Sequence, residues 1–316
     1  MKKKMDIKRF ISRFSLFSLV VLSMGALCLV SYRIGPDHYV RALGDKLFRL
    51  KESDKPKIVF VGDSNLAFGI DSKSIEDRFG MEVHNTGLLR GMGIAFCLNQ
   101  VREYLSTGDK VIICVSYTQL TKGTVGINGN DKLGFVIRAY PSTIKYVENL
   151  DQLSAITGGF ESIVRGSIKR KLRLVSELGF NYSKSGFNSE GDYIFNEFKD
   201  RRFYPNRFKK FFEPEIEIES VQWMNSVHSE LKNEGIEAFF LFPCYSQSLY
   251  DLSSSEFKKM NGYLDLELEI PVVGQMTDFL YPDSLFFDNP FHMNSLGREI
   301  RTRDIIEAME TAGISQ

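Results

Sequence analysis

The stretch Lys57-Ile58-Val59-Phe60-Val61-Gly62-Asp63-Ser64-Asn65 decides the fold, because an apolar, β-branched run stops at Gly-Asp-Ser where a strand would hand over to a helix. A serine there is displayed at the end of a strand, where a nucleophile would sit. Gly, Asp and Ser are also favoured in plain turns and at helix N-caps, so the tripeptide alone carries both readings. A partner lies far downstream in Phe287-Asp288-Asn289-Pro290-Phe291-His292-Met293-Asn294-Ser295-Leu296-Gly297, where an acid and a histidine precede a C-terminal helix. A serine hydroxyl is a weak nucleophile until an imidazole takes its proton, and the imidazole needs a carboxylate to fix its tautomer. Ser64, His292 and Asp288 fit those roles.

Outward from that turn, strand-like and helical runs alternate. Lys57–Val61 is followed by a helix at Ile70–Phe79, a strand at Glu82–His84, a helical patch at Gly93–Leu105 and the continuous strand Val111–Val115. The rhythm resumes with helix Ile216–Asn233, strand Ala238–Phe242, helix Ser255–Leu268, strand Val272–Val273 and a last helix from Ser295. This pattern predicts an α/β fold with three layers, α/β/α, around a central parallel sheet. Binding sites in such sheets lie at the carboxyl ends of the strands, which puts Ser64 and Gly87 on the same edge.

These blocks resemble the SGNH (GDSL-type) hydrolases over roughly residues 56 to 312, with a loosely matched middle. Gly62-Asp63-Ser64 looks like the block that holds the nucleophile. Asn85-Thr86-Gly87 looks like the second block, and the resemblance makes the Gly87 amide an oxyanion-hole donor beside the Ser64 amide. Asp288, His292, Asn294, Gly297 and Arg301-Thr302 resemble the ending of membrane-anchored members from bacterial surface-polysaccharide clusters, as does Gly186-Phe187-Asn188-Ser189-Glu190-Gly191-Asp192. The resemblance implies a flavodoxin-like fold, makes Asn188 and Asp192 lid residues, and implies a Ser-His-Asp esterase or O-acyltransferase without a cofactor.

The chain departs from the family pattern in three places. Many members carry the acid three residues before the histidine, a position held here by Asn289, so Asp288 must serve from four residues away. The third block has no clean copy: Gly126-Ile127-Asn128 matches its first positions and Gly129-Asn130-Asp131 offers a compressed version. Either asparagine, Asn128 first, is a candidate third oxyanion donor, with a Gly/Asn turn holding both as the competing and favoured reading. Ser116-Tyr117-Thr118 stands where those relatives carry acidic residues.

From Phe14 to Tyr32 no charge interrupts an apolar segment about long enough to span a hydrocarbon core. Lys2, Lys3, Lys4, Lys8, Arg9 and Arg13 precede it, so the positive-inside rule leaves the N-terminus in the cytoplasm. The run is long for a cleaved signal peptide, and Leu27 before Cys28 is larger than lipobox processing prefers. The expected organisation is a basic tail at 1–13, an anchor at 14–32, a linker at 33–55 and the α/β domain at 56–316, interrupted by an insertion at about 123–214.

With 40 basic and 40 acidic residues, no global charge recruits nucleic acid. Cys97, Cys114 and Cys244 lie beyond the anchor; Cys114 and Cys244 sit in apolar runs, and neither a disulfide framework nor a metal site is expected. Within the insertion a helix is expected over Ile163–Leu178, carrying Arg165, Lys169, Arg170, Lys171 and Arg173. These cations and Tyr193, Phe195, Phe203 and Tyr204 suit either an anionic glycan or membrane surface, or a solvated helix face and core aromatics. His38 and His228 lack a catalytic context; His84, directly before Asn85-Thr86-Gly87, could touch the site, though its place in a short strand points to packing or exposure. The expected function is a membrane-anchored esterase or O-acyltransferase on surface polysaccharide or glycolipid, with a membrane acyl-transfer partner if it is a transferase. The competing readings are a non-catalytic scaffold of a polysaccharide synthesis or export complex and a phospholipase-like lipid esterase.

Overall fold

The computed structural model describes residues 7–31, 34–121, 125–171, 182–195 and 215–314. Its strands are β1 (Lys57–Gly62), β2 (Glu82–Asn85), β3 (Lys110–Cys114), β4 (Glu237–Leu241), β5 (Tyr245–Ser246), β6 (Val272–Val273) and β7 (Leu280–Tyr281). Five form one all-parallel sheet in the order β2-β1-β3-β4-β6, while β5 and β7 pair separately. The molecule is therefore mixed α/β around a parallel sheet. Every residue of β1 and β3 is buried, which is why both read as unbroken apolar runs.

The strand order reverses direction between β1 and β3, and a crevice opens at such a switch point beyond the strands' carboxyl ends. Gly62 ends β1 there because a Cβ would collide with the Cys114 carbonyl of β3 and come within 2.9 Å of Leu66. The chain can turn at once into α3 (Ser64–Gly69), which packs on β1. Next comes α4 (Ser72–Phe79), capped by the Asp71 carboxylate and ended by Gly80 at φ +66°. Helices α5 (Ile94–Arg102), α8 (Ile218–Asn233) and α10 (Ser295–Thr311) pack on β1, β4 and β6.

Helix α1 (Ile7–Ser31) contains a 20-residue stretch, Ile7–Ala26, of mean hydropathy 1.3, long and apolar enough to cross a membrane. The segment 33–55, expected to be a linker, instead joins the domain across its described residues. A short 3-10 turn, Tyr39–Arg41, leads into α2 (Ala42–Lys51), which packs on β2 and α5. Val40, Leu43, Leu47 and Leu50 recur at helical spacing; three are buried and Leu47 is partly so.

The insertion also folds against the domain where it is described. Helix α6 (Lys132–Ala139) meets α7 (Leu150–Lys171) where Gly134 lies against Gly159, and α7 packs on α1. Arg165 and Lys169 are exposed on α7, as a solvated face requires; Arg173, Phe203 and Tyr204 lie outside the described residues. Helix α9 (Gln247–Glu267) begins earlier than expected, because the Ser246 hydroxyl caps it and a break at Ser253 (φ −142°) joins two helical pieces.

Candidate active site

Residues on either side of Ser64 hold its turn in place. Asp63 caps α3 by accepting the Asn65 amide at 2.8 Å, and its other oxygen accepts the Ser116 amide at 3.1 Å, Gln119 Nε2 at 3.0 Å and the Ser116 hydroxyl. Asn65 Nδ2 donates to the carbonyls of Cys244 at 3.0 Å and Phe291 at 3.3 Å, tying the nucleophile turn to the histidine loop. From α10, buried Arg301 donates to the Asn65 carbonyl at 2.8 Å, and Thr302 Oγ1 accepts the Asp71 amide at 2.9 Å. The Arg301-Thr302 pair thus fixes α3 from below. Cys114 and Cys244 are buried thiols there, and burial pushes Cys114 up to about 12.

Ser64, His292 and Asp288 form one hydrogen-bonded chain. His292 Nε2 lies 2.9 Å from Ser64 Oγ, and Nδ1 lies 3.0 Å from Asp288 Oδ1. Phe68 of α3 stacks on the imidazole, with centroids 4.0 Å apart and planes within 4°. Asp288 Oδ2 accepts the Tyr182 hydroxyl, and Asn289 Nδ2 donates to Oδ1 at 3.1 Å. Burial works to raise the Asp288 carboxyl, but the bonds from His292 and Tyr182 outweigh it and hold it below its usual range.

Asn289, at the position where an acid was looked for, has a different task. Its Oδ1 accepts the amides of Phe291 at 3.0 Å and His292 at 3.1 Å, which points Nδ2 at His292 Nδ1, 2.8 Å away. With the proton on Nδ1, His292 donates to Asp288 and presents a lone pair to Ser64. With the proton on Nε2, Nδ1 accepts from Asn289 and the imidazole donates to Ser64, which activates nothing. Asp288 selects the first tautomer.

Of the expected oxyanion donors beyond Ser64, neither Gly87 nor Asn128 lines the cavity that Ser64 and His292 share. The Gly87 amide is spent on Asn85 Oδ1 at 3.0 Å, an Asx turn within Asn85-Thr86-Gly87. The Asn128 side chain pairs with Asn149 at 2.8 Å, away from the serine. Asn130 instead joins Ser64 and His292 in the wall of a cavity of about 350 Å³. Its Oδ1 accepts the Lys132 amide at 3.0 Å, leaving Nδ2 available. A second cavity, about 620 Å³ and bounded by Phe242, Phe257, Lys258 and Met276, is larger but holds no serine or histidine. The smaller one is the cavity that Ser64 and His292 line.

No family model and no curated protein matches this chain. The site is therefore read from its own geometry.

Of residues 186–192, expected to contribute a lid, Gly186, Gly191 and Asp192 are buried and tie the segment to the domain. Asp192 accepts the amide and hydroxyl of Ser72, each at 2.7 Å, and Asn85 Nδ2 at 2.8 Å; burial raises its carboxyl against those bonds. Lys46 Nζ donates to the carbonyls of Asn85 and Gly191, and burial drives its ammonium down to about 7 while Asp192 opposes the fall. Tyr193 belongs to an aromatic cluster with Tyr39, Phe68, Tyr182 and Phe187. Ser116 and Thr118 also have tasks: Ser116 clamps Asp63, and Thr118 Oγ1 accepts from Arg90 at 3.2 Å. Among the described residues no group of His, Cys, Asp and Glu could hold a metal.

Proposed function

We propose that this chain is a membrane-anchored serine esterase or O-acyltransferase of the SGNH type, built as a three-layer α/β/α domain and acting on bacterial surface polysaccharide. The observation that carries the reading is the hydrogen-bonded chain from Ser64 through His292 to Asp288 at the wall of a cavity. Ser64 Oγ attacks an ester carbonyl as its proton passes to His292 Nε2, and Asp288 stabilises the imidazolium. The tetrahedral oxyanion is held by the Ser64 amide and Asn130 Nδ2. Collapse breaks the ester C–O bond, and the leaving alkoxide takes the proton from His292. Water or a sugar hydroxyl then gives its proton to His292 and attacks the acyl-serine; the acyl–Oγ bond breaks, Ser64 Oγ takes the proton back from His292, and an acid or a new ester is released.

The basic residues ahead of α1 support an N-terminus in the cytoplasm and a domain outside that membrane. A membrane acyl-transporting partner would supply the donor if the reaction is a transfer. A second reading, a scaffold that retains the site without turnover, draws on Asn289 Nδ2 lying 2.8 Å from His292 Nδ1, as in the unproductive tautomer.

Trapping tests the proposal. Full-length chain in detergent is mixed with an aryl acetate, quenched in acid and analysed by intact and peptide mass. The esterase reading expects one acetyl group on the peptide containing Ser64, absent in Ser64→Ala; a folded protein that never acylates supports the scaffold.

A further inference from the structure

We propose that the substrate carries a negative charge, a carboxylate or a phosphate, close to the reacting ester, and that Arg90 and Lys132 recognise it. The inference deepens the esterase or acyltransferase reading and rests on it for the ester; the charge recognition stands on the cavity itself. Arg90 and Lys132 share the cavity wall with Ser64 and His292, and no aspartate or glutamate contributes to that wall. The carboxylates next to it in the chain have other partners: Asp63 has Ser116 and Gln119, Asp288 has His292, Asn289 and Tyr182, and Asp131, between Asn130 and Lys132, accepts the Ser162 hydroxyl at 3.0 Å.

Both cations are held in place and half-buried. Arg90 Nη1 donates to Thr118 Oγ1 at 3.2 Å, which fixes the guanidinium and leaves other N–H groups for a ligand. Lys132 Nζ sits 5.4 Å from the centroid of the Phe135 ring. Among the described residues neither has a carboxylate within ion-pair distance, whereas half-buried Arg102 has Glu230 and Glu234 and half-buried Lys184 has Asp45.

The pair is assembled by close backbone contact between segments far apart in sequence. Asn130 N–H donates to the Gly91 carbonyl at 2.9 Å, and the Lys132 amide to Asn130 Oδ1 at 3.0 Å. A Cβ at Gly91 would lie 2.5 Å from both Asn130 Oδ1 and Lys132 Cβ, so only glycine lets the two segments meet. Two uncompensated cations beside a nucleophile concentrate field in a partly enclosed cavity, which draws and orients an anion. A neutral acetylated sugar would gain nothing from them.

The test uses full-length protein in detergent. Values of kcat/KM are compared for an O-acetylated oligogalacturonate, an acetyl ester of glycerol phosphate and an O-acetylated neutral oligosaccharide, at low salt and at about 0.5 M salt. The wild type is expected to favour one anionic ester over the neutral one by about 10- to 100-fold, the range of a charge-assisted hydrogen bond, with the preference shrinking in salt. The favoured arm distinguishes carboxylate from phosphate. The charged-to-neutral ratio should fall about tenfold in Arg90→Gln and in Lys132→Gln. A wild-type ratio near one, or a ratio unchanged in both variants, overturns the proposal.

Titration of Ser64→Ala with unacetylated oligogalacturonate and glycerol phosphate reads the charge recognition without turnover. Binding that weakens in Ser64→Ala/Arg90→Gln upholds the proposal even if the wild type cleaves no ester, a failure that would fall on the esterase reading. Binding of neither anion overturns it.

Discussion

Replacing Asp288 with asparagine should disable the proposed ester hydrolysis through the tautomer of His292, because of what Asn289 does beside it. His292 Nδ1 lies between Asp288 Oδ1 at 3.0 Å and Asn289 Nδ2 at 2.8 Å. In Asp288→Asn the carboxylate that accepts the Nδ1 proton is gone, while the Asn289 donor remains. The proton moves to Nε2, where it points at Ser64 Oγ instead of leaving a lone pair there. Loss of the orienting acid in an intact triad costs about 10³- to 10⁴-fold in kcat, or roughly 4 to 5 kcal/mol of barrier.

Adding Asn289→Asp in that background offers a new acceptor at the same nitrogen. One oxygen of the new carboxylate would keep the amides of Phe291 and His292, as Asn289 Oδ1 does at 3.0 and 3.1 Å, and the other would take the Nδ1 proton. Recovery of about 100-fold over the single variant is expected, a part of what the acid supplies. Hydrolysis of p-nitrophenyl acetate, with unfolding midpoints measured alongside, reads both steps. The reasoning fails if Asp288→Asn stays within about threefold of wild type, too small a change for a tautomer switch. It fails equally if the double variant is no faster than the single one.

Other consequences follow from the same contacts. Tyr182→Phe removes the hydroxyl bonded to Asp288 Oδ2, so the carboxyl returns towards its usual range. Because the folded-state value is depressed, the stability contributed by the ionised group is present above its ordinary range and lost as pH falls through the folded value. The acid limb of both stability and hydrolysis should therefore begin at higher pH in Tyr182→Phe, with kcat/KM down about tenfold at neutral pH. Asn130→Ala should lower kcat by about 10²-fold, as loss of an oxyanion donor does, whereas Asn128→Ala should leave ester hydrolysis within about twofold. Equal effects in the two would return the role to neither.

Lys46 falls from 10.5 in the free side chain to about 7 in the fold, so between those values the unfolded chain binds the extra proton. Stability should rise with pH across that window and fall as pH drops towards 7, by at most about 5 kcal/mol. Denaturant unfolding at about pH 7 and pH 9 should show the rise in wild type and a flatter response in Lys46→Met.

What was legible in the sequence was local. The β1 turn, the Asp288–His292 loop and the start of α10 each announce themselves within a dozen residues, through apolar runs ending at cap-forming side chains. The Gly87 amide, an expected oxyanion donor, has a partner that its own motif supplies: Asn85 Oδ1 takes the Gly87 N–H. The Asn-x-Gly spacing could have signalled that Asx turn. Asn128 and Asn130 are two residues apart in one Gly/Asn loop, and the contact of Asn130 with Gly91, which places Asn130 rather than Asn128 in the cavity wall, joins segments far apart in sequence. Tyr182 gave no signal at all, since it meets Asp288 and His292 only through tertiary packing. The segment at 33–55, expected to be a linker, carries its own signal of packing in the helical spacing of Val40, Leu43, Leu47 and Leu50. Strands β5 and β7, two residues each, are too short to show a period.

The account turns on whether Ser64 is activated. The most direct measurement is fluorophosphonate labelling of the full-length chain in detergent, comparing wild type, Ser64→Ala and His292→Ala. Covalent labelling of wild type at Ser64, lost in both variants, is the predicted result. A folded wild type that takes no label, or label that persists in Ser64→Ala, would contradict it.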